Sequence, residues 1–138
     1  MRIDRDVYRY IEYEMYHYKE YQKELMEYEE EVLEGSPEPP DGMPKGNGTS
    51  NPTENKALKL VTPKGYREME KTISSIDTAL NLLSERHKKI FEMVYLRKRR
   101  DYYGISDDLH ISFRTFQYAK KELILTVGRE LGAIKKFA

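Results

Sequence analysis

The sequence predicts an all-α protein in which a long N-terminal helix, a flexible Gly/Pro linker and a second long helix precede a helix-turn-helix. Residues 5–33 contain neither glycine nor proline and repeat apolar residues at a helical period. Glycine and proline are concentrated at residues 35–52, which divides the helical pattern in two. Hydrophobic residues make up 38% and charged residues 35% of the 138-residue chain. This balance is typical of long helices that each bury one face, and the length suits one domain or a small domain with an arm.

The first predicted helix, at residues 1–34, is amphipathic. Its apolar residues recur every seven positions, as expected for a seam along one helical face: Ile11, Tyr18, Leu25 and Val32. Seven of the twelve tyrosines also lie in this segment, so several must point away from the seam. The seam needs a partner surface, and the alternatives are the second long helix of the same chain or a second copy of the chain.

Residues 35–52 hold four glycines, five prolines and a single large apolar residue, Met43. Such a segment cannot build a core and is predicted to be a flexible linker. It allows the first helix to fold back on its own chain or to reach another protomer. The second long helix is predicted over residues 53–83, with either a kink at Pro63 or a restart in which Thr62 is the N-cap.

Residues 84–138 are predicted to form the helix-turn-helix domain. Ser84 is expected to cap a short helix, and a second short helix at 101–109 should be joined by a tight turn to a longer helix that begins at Phe113. In this motif Ser112 caps the last helix, and Gly104 favours close approach of the two helices. The predicted core of the motif consists of Ile105, Leu109, Ile111, Phe116, Ala119 and Leu123.

The helix that begins at Phe113 is the candidate DNA-reading element. If Phe116 and Ala119 face inward, the outward side chains combine base-reading and phosphate-binding groups: Phe113, Arg114, Thr115, Gln117, Tyr118 and Lys121. Arginine suits guanine edges and glutamine suits adenine edges. The basic cluster that precedes the motif is expected to contact phosphates: Arg97, Lys98, Arg99 and Arg100. An ordinary helical hairpin with a basic outer face is the alternative interpretation of the same pattern.

The formal net charge of zero conceals an asymmetry between the two ends of the chain. Residues 1–34 contain 11 acidic and 5 basic residues, whereas residues 84–138 contain 7 acidic and 13 basic residues. The basic end suits a polyanion such as double-stranded DNA, from which an acidic helix would be repelled. We therefore expect the two ends to have different roles.

Several other functional classes find little support in the sequence. The three histidines lie far apart, and there is no glycine-rich phosphate loop, so we expect no enzyme, cofactor, metal or small-molecule substrate. No apolar run is long enough to span a membrane or to form a signal peptide. With no cysteine for disulfides, we expect a cytoplasmic protein.

The order of these features resembles the phage late-gene transcriptional activators of the RinA type and, more distantly, the ArpU-type phage regulators. The matching residues are Tyr10-Ile11-Glu12, Tyr16-x-Tyr18, Asn51-Pro52-Thr53-Glu54-Asn55-Lys56-Ala57-Leu58-Lys59-Leu60 and Leu109-His110-Ile111-Ser112-x-Arg114-Thr115-Phe116. The resemblance covers nearly the whole chain. It implies that the last helices are similar to the fourth region of sigma factors. It also implies that the protein binds DNA and activates transcription with host RNA polymerase as a partner, and that it has no catalytic site.

The chain departs from these families at two places. Pro63-Lys64-Gly65 stands where an uninterrupted basic helix is expected, and Tyr102-Tyr103 replaces a stretch that contains tryptophan. Two further hypotheses remain open. Small terminase subunits of phage packaging motors also join a helix-turn-helix to oligomerising helices, and an oligomeric helical interaction module would use the long helices alone.

Overall fold

The structure is a computed structural model that describes residues 3–33 and 63–135. These residues form α1 (Arg5–Tyr16), α2 (Tyr18–Leu33), α3 (Pro63–Leu82), α4 (Glu85–Ile90), α5 (Tyr102–Asp108), α6 (Phe113–Leu131) and a π-helical segment, Phe91–Leu96. The all-α class is confirmed over this part of the chain, which contains no strand and no helix long and apolar enough to cross a membrane. The predicted linker at 35–52, the 51–60 motif and the Thr62 cap lie outside the described residues.

The first predicted helix is interrupted at His17, so the prediction of one continuous helix is wrong there. The His17 backbone N–H is shared between the Tyr13 and Glu14 carbonyls, at 3.2 Å each. The His17 Nδ1–H also donates to the Tyr13 carbonyl, at 2.7 Å, and the Tyr13 ring stacks on the imidazole. A side chain that competes for a helical carbonyl disturbs the backbone hydrogen-bond ladder, and such a break is not visible in the apolar periodicity.

The described residues divide into two compact units, residues 3–19 with 71–135 and residues 20–33 with 63–70. In the first unit α1 packs on α6, whose Gly128 makes the close approach possible. A Cβ at Gly128 would lie 2.5 Å from Ile11 Cδ1 and 2.7 Å from Ile134 Cδ1. Ile11 and Met15 are fully buried in this unit. The periodicity predicts a buried face that includes Ile11, with the second long helix or a second copy of the chain as its partner; within the chain, Ile11 instead contacts the last helix.

The seam predicted for the first helix does not extend to its end. In the second unit the Tyr28 and Tyr66 rings lie 4.7 Å apart, and the Tyr66 hydroxyl donates to Glu29 at 2.6 Å. That hydrogen bond raises the pKa of Tyr66 to about 12. Leu25 is half-buried, but Val32 is 60% exposed, so Val32 does not lie in a buried seam within one chain; a seam with a second copy of the chain stays a prediction.

The helix predicted to start after Ser84 does so, and it continues into the π-helical segment. The Ser84 backbone N–H donates to His87 Nδ1 at 3.3 Å, and the Arg97 N–H bonds to the Glu92 carbonyl at 2.8 Å, five residues back. The segment buries Phe91, Val94 and Tyr95, which extend the core of the first unit.

Candidate nucleic-acid interface

Helices α5 and α6 are joined by a turn of four residues, 109–112. The Ile111 N–H bonds to the Ser106 carbonyl at 3.0 Å, which folds the turn back on α5. His110 has a φ of 58°, in the left-handed region that a non-glycine residue seldom adopts. The Ser112 hydroxyl accepts from the Thr115 N–H at 3.0 Å, so the predicted N-cap of α6 is present.

The predicted core residues of the motif face the interior to different degrees. Ile105, Phe116, Ala119 and Leu123 are buried. The two residues of the turn itself, Leu109 and Ile111, are half-buried and pack against this core. The short connection therefore fixes α6 on α5 through apolar contacts at both ends of the turn.

Four of the predicted contact residues share one face of α6, which we call the outer face: Arg114, Gln117, Tyr118 and Lys121. Their spacing of three, four and seven residues from Arg114 aligns them along two helical turns. All four are exposed. Among the described residues, their side chains form no ion pair or hydrogen bond. Their donors are thus free to meet a ligand.

Two other residues predicted to face outward have structural contacts instead. Phe113 is half-buried, and its ring stacks on Tyr103 with centroids 4.0 Å apart. Thr115 is half-buried, and its Oγ1 accepts from the Ser112 hydroxyl at 2.9 Å. The Phe113 ring, predicted to be available to DNA, is therefore partly covered by Tyr103, whose own side chain is 69% exposed. No spacing rule points to Tyr103, because its contact spans the turn.

The basic cluster before the motif is divided between structural and free cations. Arg97 pairs with Glu92 at 2.8 Å, and Arg99 bridges Asp101 at 2.7 Å and Asp108 at 2.9 Å. These hydrogen bonds raise the pKa of Arg99 and hold that of Asp101 below its ordinary value. The side chains of the exposed Lys98 and Arg100 form no ion pair within the described part of the chain.

Gly104 has a different role from the one predicted. A Cβ at this position would collide with the Asp101 carboxylate and lie 3.2 Å from Arg99 Nη2. The residue thus leaves room for the Arg99–Asp101 pair on the outside of α5. The nearest atoms to a Cβ at Gly104 thus belong to Asp101 and Arg99 and not to α6, so the predicted role in packing α5 on α6 is not the one that these contacts indicate.

Lys120, next to the outer face, was missed by the sequence analysis. Its Nζ lies 3.2 Å from Glu12 Oε2 and 3.3 Å from the Tyr8 hydroxyl, and it stands 5.4 Å from the Tyr102 ring centroid. Burial lowers the pKa of Lys120, but Glu12 and Tyr8 outweigh this and raise it above the ordinary value. The Tyr95 hydroxyl donates to the same Glu12 oxygen at 2.7 Å. Lys120 therefore ties α1 to α6 and is not available to a ligand.

Residues 7–128 match a family model described as a protein of unknown function (DUF722). The chain belongs to the DUF722 family. No curated protein and no solved structure matches the chain. The DUF722 match includes the outer face, the basic cluster and the Glu12–Lys120 pair.

The chemistry that this part of the DUF722 chain offers is hydrogen-bond donation and positive charge. The outer face supplies a guanidinium, an amide, a phenol and an ammonium. Across the described residues, no group of three or more histidine, aspartate or glutamate side chains could hold a metal ion. Groups of these kinds form hydrogen bonds with the edges of base pairs and with phosphate oxygens.

Proposed function

We propose that the protein is a sequence-specific DNA-binding regulator of transcription, in which α5 and α6 form a helix-turn-helix and α6 lies in the major groove. The observation that carries this proposal is the outer face of α6. Four exposed polar side chains without partners in the described chain occupy the first two turns of a capped helix. In helix-turn-helix proteins, base contacts come from this end of the second helix.

Within this proposal, Arg114 and Gln117 contact base edges. Both have the donors for bidentate contacts, to guanine and adenine respectively. Tyr118 and Lys121 contact phosphates at the groove edge. Phe113 and Thr115 support the start of α6 through Tyr103 and Ser112.

Phosphate binding by the basic cluster rests on Lys98 and Arg100. Their charges are not offset by an ion pair among the described residues, whereas Arg97 and Arg99 are held by carboxylates. A charge that already has a close partner gains less from a phosphate, because the existing pair must be given up. Arg97 and Arg99 thus orient the segment, and the other two bind.

The resemblance to RinA-type activators supports activation of phage late genes, with host RNA polymerase as the second partner. The acidic surface of α2 is unsuited to DNA, and this supports a separate role for it in protein contacts. Pairing with a second copy of the chain through the long helices stays a prediction.

Pull-down of genomic fragments by the full chain tests the proposal. We expect recovery of one short motif upstream of a gene, and in the Arg114→Ala variant weaker enrichment of that motif with a relaxed preference at one base pair. Arg67→Ala, an exposed arginine of α3 in the other unit, is the matched control and should retain it. Recovery of random fragments by the wild type would contradict the proposal, and a motif beside a packaging start site would indicate a packaging protein instead.

A further inference from the structure

A cavity of about 310 Å³ lies between α4 and the turn that joins α5 to α6. It is lined by Arg86, Lys89, Asp108, Leu109, His110 and Ile111. Arg86 and Lys89 are three residues apart on α4, so their side chains leave the helix on the same side.

The charged groups of this cavity favour an anion. Arg86 and Lys89 are exposed and form no ion pair among the described residues, and His110 adds a ring nitrogen. The single carboxylate in the lining, that of Asp108, is already bound by Arg99 Nη1 at 2.9 Å. Nearby on α4, Glu85 is paired with Lys88 at 3.4 Å. Arg86 and Lys89 thus line a cavity near which the carboxylates of Asp108 and Glu85 are already paired with other cations.

The cavity also adjoins the candidate recognition helix. His110 and Ile111 belong to the turn that ends at the Ser112 cap, and Arg114 of the outer face is four residues beyond His110. A duplex held on the outer face would bring its backbone past this turn. Phosphate contacts from elements next to a recognition helix fix its register on the duplex.

We propose that the cavity formed by Arg86, Lys89 and His110 binds a phosphate group of the DNA backbone. The inference rests on the proposed function and deepens it by naming a contact outside α6. An arginine and a lysine supply a planar fork and a point charge, which together suit phosphate oxygens. A free phosphate group would meet the same chemistry, so the test separates the two sources.

The first measurement is the salt dependence of binding to a duplex that carries the preferred site. Each lost phosphate contact reduces the slope of log K against log salt by about 0.9. The Arg86→Ala/Lys89→Ala variant loses the one phosphate contact of the cavity, so its slope should be flatter by about 0.9. Preference among base pairs should not change. Lys71→Ala/Lys135→Ala removes the same charge from exposed residues outside the cavity and is the matched control. Equal slopes in the two double variants would overturn a DNA phosphate as the ligand.

The second measurement titrates the DNA-free protein with inorganic phosphate and follows the amide NMR signals of His110 and Ile111. Saturable shifts that the Arg86→Ala/Lys89→Ala variant lacks, together with equal salt slopes, would identify a free phosphate as the ligand. No saturable shifts and equal slopes would overturn the cavity as a phosphate site. If the wild type prefers no DNA sequence, the proposed function fails, and this titration still decides whether the cavity binds phosphate.

Discussion

The ammonium of Lys120 lies 3.2 Å from the carboxylate of Glu12, and this pair joins α1 to the candidate recognition helix across 108 positions of sequence. The side chains of Lys120 and Glu12 are 12% and 20% exposed. The neighbouring Lys121 is exposed on the outer face. Two adjacent lysines therefore have opposite roles, because successive residues of a helix point about 100° apart.

This difference predicts a separation of stability from binding. Lys120→Ala leaves Glu12 with Tyr95 as its remaining partner, and we expect a loss of roughly 2–4 kcal/mol in the free energy of unfolding. Lys121→Ala should change that free energy by less than about 0.5 kcal/mol and should weaken DNA binding. Chemical denaturation and a binding isotherm on both variants measure the two effects. Equal destabilisation of both proteins would contradict the assignment.

Gly128→Ala is expected to weaken the packing of α1 on α6. The added methyl group would lie 2.5 Å from Ile11 Cδ1, closer than real Cβ contacts occur. The cost of such overpacking is about 1–3 kcal/mol. Ile11→Val removes the Cδ1 atom, so the double variant should recover part of the loss, and a double-mutant cycle in urea measures the coupling. Strictly additive effects would show that the two residues do not meet.

Stability should fall in alkali because buried tyrosines resist ionisation. Burial and the Glu12 carboxylate raise the pKa of Tyr95 well above its ordinary value of 10.0, and burial raises that of Tyr16 to about 12. The folded state keeps these protons while the unfolded state loses them. The stabilisation is thus complete below pH 10 and is lost as the pH rises above it. The loss is about 1.4 kcal/mol per pH unit for the buried Tyr95 and smaller for the half-buried Tyr16, where solvent screens the effect.

Denaturant titrations between pH 8 and 11 measure this slope. Tyr95→Phe should make it shallower, whereas Tyr118→Phe, which alters an exposed phenol, should leave it as in the wild type. An identical slope in the wild type and in Tyr95→Phe would exclude Tyr95 as its source.

The basic cluster offers a direct comparison of a bound and a free arginine. Arg100→Ala should flatten the salt slope of DNA binding by about 0.9 with little change in stability. Arg99→Ala breaks the contacts with Asp101 and Asp108 and should lower the melting temperature. Its salt slope should change less than that of Arg100→Ala. The reverse order of slopes would mean that Arg99 leaves its carboxylates when DNA binds.

The sequence predicted local features of the fold well because their causes are local. Ser84 and Ser112 were expected as caps, and both begin helices in the structure. Short-range spacing alone identifies a polar residue that precedes a helical apolar pattern. The same reasoning predicted burial of Ile105, Phe116 and Leu123.

Features that depend on distant residues were not predicted. Periodicity indicated that Ile11 is buried but could not identify Gly128 as its neighbour, since that requires knowledge of how the helices pack. For the same reason the helical spacing that places Lys121 on the outer face could not identify Glu12 as the partner of Lys120. Ion pairing of Arg99 and stacking of Phe113 on Tyr103 also depend on contacts across turns, so the predicted binding set contained residues with structural roles.

The outer face leads to the sharpest prediction, that Arg114 and Gln117 determine which bases the protein prefers. Both side chains are exposed, and neither pairs with a carboxylate of α5; Asp108 is bound by Arg99 instead. A purely structural role for Arg114 would be an exposed ion pair with Asp107 or Asp108, and the structure contains neither pair. Arg114→Ala and Gln117→Ala should each cost about 1–3 kcal/mol at the preferred site and relax the preference at one base pair.

Binding selection from a randomised duplex library measures these preferences directly. Each variant should lose its base preference at one position of the DNA site, and the two positions should be adjacent. The affinity of Gln117→Ala for random DNA should stay nearly unchanged. Lys121→Ala serves as the control on the same face, because loss of a phosphate contact weakens binding to all sequences alike. Identical preferences in the wild type, Arg114→Ala and Gln117→Ala would assign α6 a supporting role and require another element to contact the bases.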